Sequence, residues 1–191
     1  MINAIRGLNN RDQDAAEVGI IESTQQITCY TFSKDLPFVK LYDIPGRGIF
    51  THKTDIYYAE KGLCAFDVLL IFIQNTLCAE DVKLAREAKK YGQTVCFIRS
   101  QCDIDVMNMV QYDEIAEVNQ EEVSKYLAKI QDFFKKEISA KALDVSDIPI
   151  FFVSAPVMYK LFTVKPLPYV FQEAELLSYI QKTSIESRSV C

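Results

Sequence analysis

The sequence predicts an α/β fold with a doubly wound, mainly parallel sheet, and three observations predict it. Short apolar runs, "FDVLLIFI", "QTVCFIRS" and "IPIFFVSA", have the length and near-continuous hydrophobicity of strands buried on both faces. Amphipathic stretches alternate with them, which is the rhythm of strand-helix units. Each apolar run gives way to polar residues at its carboxyl end, where ligands bind in sheets of this kind.

The elements follow in order. "MINAIRGL" puts Ile2, Ile5 and Leu8 on one helical face, and "NNRDQDAAEVG" after it is polar and loop-like. "IIESTQQITCYTF" alternates and carries β-branched residues, so it reads as a strand; "SKDLP" breaks it. "FVKLYDI" is a second strand, ended by Pro45 and Gly46. "THKTDIYYAEKGL" suits a short helix before the buried strand "FDVLLIFI". "CAEDVKLAREAKKYG" is a helix with Val82, Leu84, Ala85 and Ala88 inward and Gly92 just past its end. The strand "QTVCFIRS", the long amphipathic helix "NQEEVSKYLAKIQDFFKKEISAKAL", the strand "IPIFFVSA" and the helix "VFQEAELLSYIQKTS" complete the series. Residues 183–191 read as a flexible tail.

Composition narrows the function classes. A chain of 191 residues, 49% hydrophobic and 25% charged, suits one globular domain, or one domain with an extension. A net charge of −5 argues against nucleic acid as a partner, because phosphate backbones select basic surfaces. No apolar run is long enough to span a bilayer, and the amino terminus turns polar too soon for a secretory signal. Six cysteines, at 29, 64, 78, 96, 102 and 191, show no framework spacing and read as reduced thiols of a cytoplasmic protein. The lone histidine, His52, gives zinc no second imidazole.

Three strand ends carry the chemistry. Asp43-Ile44-Pro45-Gly46 fits D-x-x-G, in which a nucleotide triphosphatase holds Mg²⁺ on the aspartate and brings the glycine amide to the γ-phosphate. The same four residues also make an ordinary strand-to-loop turn. Two strand-helix steps later, "RSQCD" stands where a G-domain places [NT]-K-x-D, and Asp103 has the place of the carboxylate that accepts from guanine N1–H and the 2-amino group. Ser100 and Gln101 replace the usual Asn or Thr and Lys. After the last buried strand, Ser154-Ala155 matches the S-A-K turn that offers a backbone N–H to guanine O6, with Pro156 in place of lysine. Each pattern is weak alone, but three in order at successive strand ends point to a relative of the G-domain.

"INAIRGLNNRDQDAAEVGIIESTQQ" followed by "LYDIPGRG" resembles the immunity-related, interferon-inducible GTPase family, with its F-I-N-A-L-R-G helix, A-A-x-T-G-V-V-E-x-T segment and W-D-L-P-G strand end. "DVKLAREAKKYGQTVCFIRSQCD" and "IPIFFVSA" resemble its later stretches, so the likeness covers residues 1–182 as a partial G-domain. The resemblance implies a P-loop NTPase-like fold, binding of GTP and GDP with Mg²⁺, and slow hydrolysis. It also implies homo-oligomerisation through the G-domain face and attachment to intracellular membranes. The implied nucleotide residues are Asp43, Gly46, Ser100, Gln101, Asp103, Ser154 and Ala155, with Asp43 and Thr24 for the metal. The family's helix follows a G-x-x-x-x-G-K-S loop and a central strand, whereas this sequence opens inside that helix. The expectation is therefore a G-domain without its first strand and P-loop, with a gap between the strands ending at Asp43 and at Gln74. Val18 stands where the family has threonine, and Arg47 follows Gly46 where other GTPases orient water with glutamine, so no catalytic residue is assigned. The alternative is a non-catalytic interaction module, or an incomplete gene product, that keeps the surface without the nucleotide.

Overall fold

The computed structural model describes residues 1–18, 26–45, 54–164 and 166–186. Its centre is a parallel three-stranded sheet, β3 (Val68–Ile73), β4 (Thr94–Arg99) and β5 (Ile150–Phe152), in the order β3-β4-β5. The register pairs Val68 with Thr94 through Ile73 with Arg99, and Phe97 with Ile150 through Arg99 with Phe152. A separate antiparallel pair, β1 (Thr28–Thr31) and β2 (Lys40–Asp43), sets Thr28 opposite Asp43.

Helices cover both faces of the parallel sheet, as near-continuous apolar strands require. Side chains alternate along β4: Val95 and Phe97 enter one apolar layer, Cys96 and Ile98 the other. The first layer is closed by α2 (Thr54–Glu60), α3 (Ala79–Lys90), α4 (Cys102–Gln111) and α5 (Gln120–Lys141), through residues such as Tyr58, Ala85, Val106 and Phe134. The second is closed by α1 (Ile2–Ile5), α6 (Ala155–Thr163) and α7 (Glu173–Glu186), through Ile5, Met158, Leu176 and Ile180.

Local sequence explains most helix boundaries. The α3 residues Val82, Leu84, Ala85 and Ala88 are all buried, as their spacing predicts, and Gly92 adopts φ +66° beyond the helix end. Asn119 caps α5 by accepting from the Glu122 N–H at 3.0 Å. α1 is shorter than its apolar spacing suggests. It ends at Ile5 because Gly7 turns the chain at φ +66°, and a Cβ there would meet Phe162 at 2.9 Å.

Two helices were not expected from the sequence. α4 follows β4 after a left-handed Gln101, φ 64°, which carries no capping bond, so no start signal precedes it. α6 does carry signals, since Ser154 accepts from the Val157 N–H and Pro156 stands in the first turn. α7 continues to Glu186, into the stretch expected to be a tail. The five cysteines among the described residues are all free, and burial pushes the thiols of Cys96 and Cys102 up to about 12, which leaves both as inert core groups. No helix among the described residues is long and apolar enough to cross a membrane.

Among the described residues the two sheets do not join. Between β2 and β3 lies a cavity of about 1360 Å³, lined from both strands.

Phe134 tests the larger core layer. It is 1% exposed and packs on Phe152 with ring centroids 5.6 Å apart. Phe134→Ala should cost about 3–5 kcal/mol in chemical denaturation, whereas Leu143→Ala, at a side chain 70% exposed, should stay within about 0.5 kcal/mol.

Candidate functional site

The carboxyl ends of β4 and β5 meet and bring most of the sequence-predicted residues together. The Arg99 carbonyl accepts from the Val153 N–H at 2.9 Å, and the Val153 carbonyl accepts from the Cys102 N–H at 3.2 Å. These bonds set Ser100, Gln101 and Asp103 beside Ser154 and Ala155. Asp103 stands in the first turn of α4 rather than in a loop. Its Oδ1 is buried and has no hydrogen-bond partner. A buried acceptor without a donor is costly, so such an atom in a native site suggests a ligand or water.

Arg99 organises the first loop from below. It is 4% exposed, although it ends an apolar strand. Its Nη2 donates to Asn75 Oδ1 at 2.9 Å and to Asp105 Oδ2 at 2.8 Å, and its Nη1 donates to the Ser100 carbonyl. Asp105 Oδ2 also accepts from the Tyr126 hydroxyl at 2.6 Å. Burial, together with the neighbouring Cys102 and Asp105, raises the Tyr126 pKa and keeps the hydroxyl a donor.

Glu173 organises the second loop. The side chain is fully buried at the start of α7. Its Oε1 accepts from the Ser154 N–H and its Oε2 from the Phe171 N–H, both at 2.8 Å. The adjacent Gln172 extends the edge of β5: its N–H donates to the Phe152 carbonyl and its Oε1 accepts from the Phe152 N–H, both at 3.0 Å. With Ser154 so held, α6 begins at Ala155, and Pro156 beside it has no N–H to offer. Tyr169 stands near Asp103, whose charge adds to burial in raising the tyrosine pKa.

The sequence reading singled out Ser100, Gln101, Asp103, Ser154 and Ala155, and it gave no role to Arg99, Asp105, Gln172, Glu173 or Tyr169, which stand around them. An arginine closing a buried strand was a visible signal. A glutamate in the first turn of a helix, as Glu173 is, looks like ordinary dipole complementarity.

Asp43 is placed apart, half-buried at the end of β2 on the other sheet, where it borders the large cavity. Its charge faces the Met1 amine, whose pKa is lowered by burial and partly restored by Asp43. No cluster of three or more His, Cys, Asp or Glu side chains that could hold a metal occurs among the described residues. Asp43 is still compatible with Mg²⁺, which takes one or two carboxylates and completes its shell with water and phosphate. Gly46 and Thr24 lie outside the described residues.

Glu173 gives a pH test. Burial raises its pKa above the ordinary 4.5, against the lowering effect of its two N–H donors. The folded protein therefore holds this proton more tightly than the unfolded chain. The resulting stability is full below 4.5 and is lost as pH rises through the higher folded value. Glu173→Gln turns an amide NH₂ toward one of the two N–H groups and should cost about 1–3 kcal/mol at neutral pH. In denaturation at stepped pH, the margin of the native protein over the variant should grow as pH falls toward 4.5.

Comparisons with known proteins fit this arrangement. The sequence profile of the family Interferon-inducible GTPase (IIGP) matches residues 1–162. The mouse T-cell-specific guanine nucleotide triphosphate-binding protein 2 is 31% identical over 153 residues, 80% of this chain and 35% of the relative. Mouse Immunity-related GTPase family M protein 2 is 30% identical over 105 residues, 55% of this chain and 26% of its own length. Bovine Interferon-inducible GTPase 5 is 32% identical over 106 residues, 56% of this chain and 23% of its own length. The chain thus spans about a third or less of the relatives it matches. With a family match over most of its length and a parallel α/β sheet beneath the matched strand ends, this chain belongs to the interferon-inducible GTPase family.

Proposed function

We propose that this chain carries the guanine-reading strand ends of a GTP-binding domain. Asp103 accepts from guanine N1–H and the 2-amino group, and the Ala155 N–H donates to O6. Ser100 and Gln101 border the base, and Tyr169 supplies an aromatic wall. Ser154 holds the turn while Glu173 orients it. The observation that carries this reading is the buried, unpartnered Oδ1 of Asp103 beside the Ser154-Ala155 turn. A carboxylate that pairs with two donors of one base rejects adenine, which would leave it unpaired.

On the phosphate side, Gly46 would donate to the γ-phosphate, and Asp43 would hold Mg²⁺ through water with Thr24 as a second oxygen ligand. The metal would neutralise phosphate charge there. The family names support GTP as the nucleotide, since one relative is named for guanine nucleotide triphosphate binding and others as GTPases. Self-association through this face and association with intracellular membranes are parts of the same reading that rest on the resemblance alone. A non-catalytic binding module is the second reading. It is favoured by Gln101, an exposed amide in left-handed backbone where the G-domain pattern has a lysine.

Two titrations test the reading. The chain of 191 residues offers few phosphate contacts, so guanosine, GDP and GTP should bind within about tenfold of one another, and weakly. Fluorescent GTP bound with sub-micromolar affinity would overturn that expectation. Asp103→Asn replaces an acceptor by an amide donor and should weaken guanine nucleotides by about 1–3 kcal/mol while favouring xanthine nucleotides, read by competition in the same assay. Unchanged selectivity would place the base elsewhere.

A further inference from the structure

Among the described residues, two that are not glycine have left-handed backbone, Gln101 at φ 64° and Asp113 at φ 59°. Such backbone costs free energy at any residue with a Cβ, and it persists where the surroundings over-determine it. Asp113 lies just past the carboxyl end of α4, a common place for it. Gln101 precedes α4, where a capping residue is ordinarily extended. Its conformation therefore has to be imposed by its neighbours.

Arg99 and Asp105 impose it. Their ion pair, Nη2 to Oδ2 at 2.8 Å, ties the end of β4 to the first turn of α4 across Gln101. Arg99 Nη1 donates to the carbonyl just before Gln101, that of Ser100, and the Cys102 N–H just after it is fixed on the Val153 carbonyl. The pair is itself held from two other elements: Asn75, beyond β3, accepts from Nη2, and Tyr126 of α5 donates to Asp105 Oδ2. A lysine has one compact ammonium on a flexible stem, so it could not make these contacts with a planar fork. Asp103 stands in the same first turn of α4 as Asp105, so the orientation of that turn directs its carboxylate. Asp103 Oδ1 has no hydrogen-bond partner of its own to fix it.

We propose that Arg99 and Asp105 are positioning residues for base selection: their ion pair imposes the left-handed turn at Gln101 and thereby aims Asp103 at the 2-amino group of the base, with Tyr126 locking Asp105. This inference rests on the guanine reading above. The Ser154-Ala155 turn is held separately, by Glu173. The ion pair therefore controls discrimination at the 2-amino group rather than affinity for nucleotides in general.

The test compares GDP with inosine diphosphate, which lacks the 2-amino group, in competition with a fluorescent guanine nucleotide on the full chain. The native chain should prefer GDP by about tenfold. Arg99→Lys and Asp105→Asn should each cut that preference by about fivefold, and Tyr126→Phe by about twofold. Adding Gln101→Gly to either of the first two should return it to within about twofold of native, because glycine takes left-handed backbone without being forced. Amide exchange at the Cys102 N–H needs no nucleotide; it should speed up by about tenfold in Arg99→Lys and slow again when Gln101→Gly is added. Ile138→Val, at a buried side chain of α5, should lower stability and leave the preference unchanged, which separates positioning from loss of stability. Where Arg99→Lys does not fold, Asp105→Asn with and without Gln101→Gly carries the same comparison. The proposal is overturned if the preference survives loss of the ion pair, if Gln101→Gly fails to restore it, or if exchange at Cys102 does not change. A native chain that binds both nucleotides equally, or neither, overturns the guanine reading and this role with it, whereas a native preference that Arg99→Lys leaves intact overturns this inference alone.

Discussion

The structure depends on burying the parallel sheet on both faces. β4 is the clearest case, with Val95 and Phe97 in one layer and Cys96 and Ile98 in the other. A strand covered on both sides has no water to satisfy its backbone, so it must be hydrogen-bonded on both edges. β4 meets that condition through β3 and β5. The loops leaving β4 and β5 are therefore fixed at one end of a rigid element. Among the described strands, β3 pairs with β4 and β2 pairs with β1, and the cavity lies between β2 and β3.

Two buried charged side chains carry this rigidity into the loops. Arg99 is held by Asp105 and Asn75 and grips the Ser100 carbonyl. Glu173 grips the Ser154 N–H from the opposite side and ties it to the start of α7. Each group satisfies backbone atoms that the strand ends would otherwise leave without partners. The two turns are thus positioned by groups beneath them, while Asp43 belongs to a different sheet across the cavity.

Much of the fold was legible in the sequence, for reasons that vary by element. β3, β4 and β5 were legible because a strand buried on both faces must be apolar throughout, which leaves a plain signal. α3 and α5 were legible from helical spacing and from their ends at Gly92 and Asn119. α4 was not, because its start rests on the strained backbone of Gln101 and only Cys102 and Val106 are buried. The Ser154 cap and Pro156 did announce α6, but the apolar strand directly before them dominated the pattern.

The sequence by itself determined the fold class, the family resemblance and the strand-end residues Asp43, Asp103, Ser154 and Ala155, because periodicity and short motifs are local properties of the chain. The tertiary structure alone decided that Asp103 and Ser154 are neighbours while Asp43 lies on a second sheet, since strand order is set by pairing between distant segments. It also decided that Glu173, nineteen residues from Ser154, accepts its N–H. Nothing in the local chemistry of a glutamate records whether it will face water or be buried against a distant turn; packing settles that.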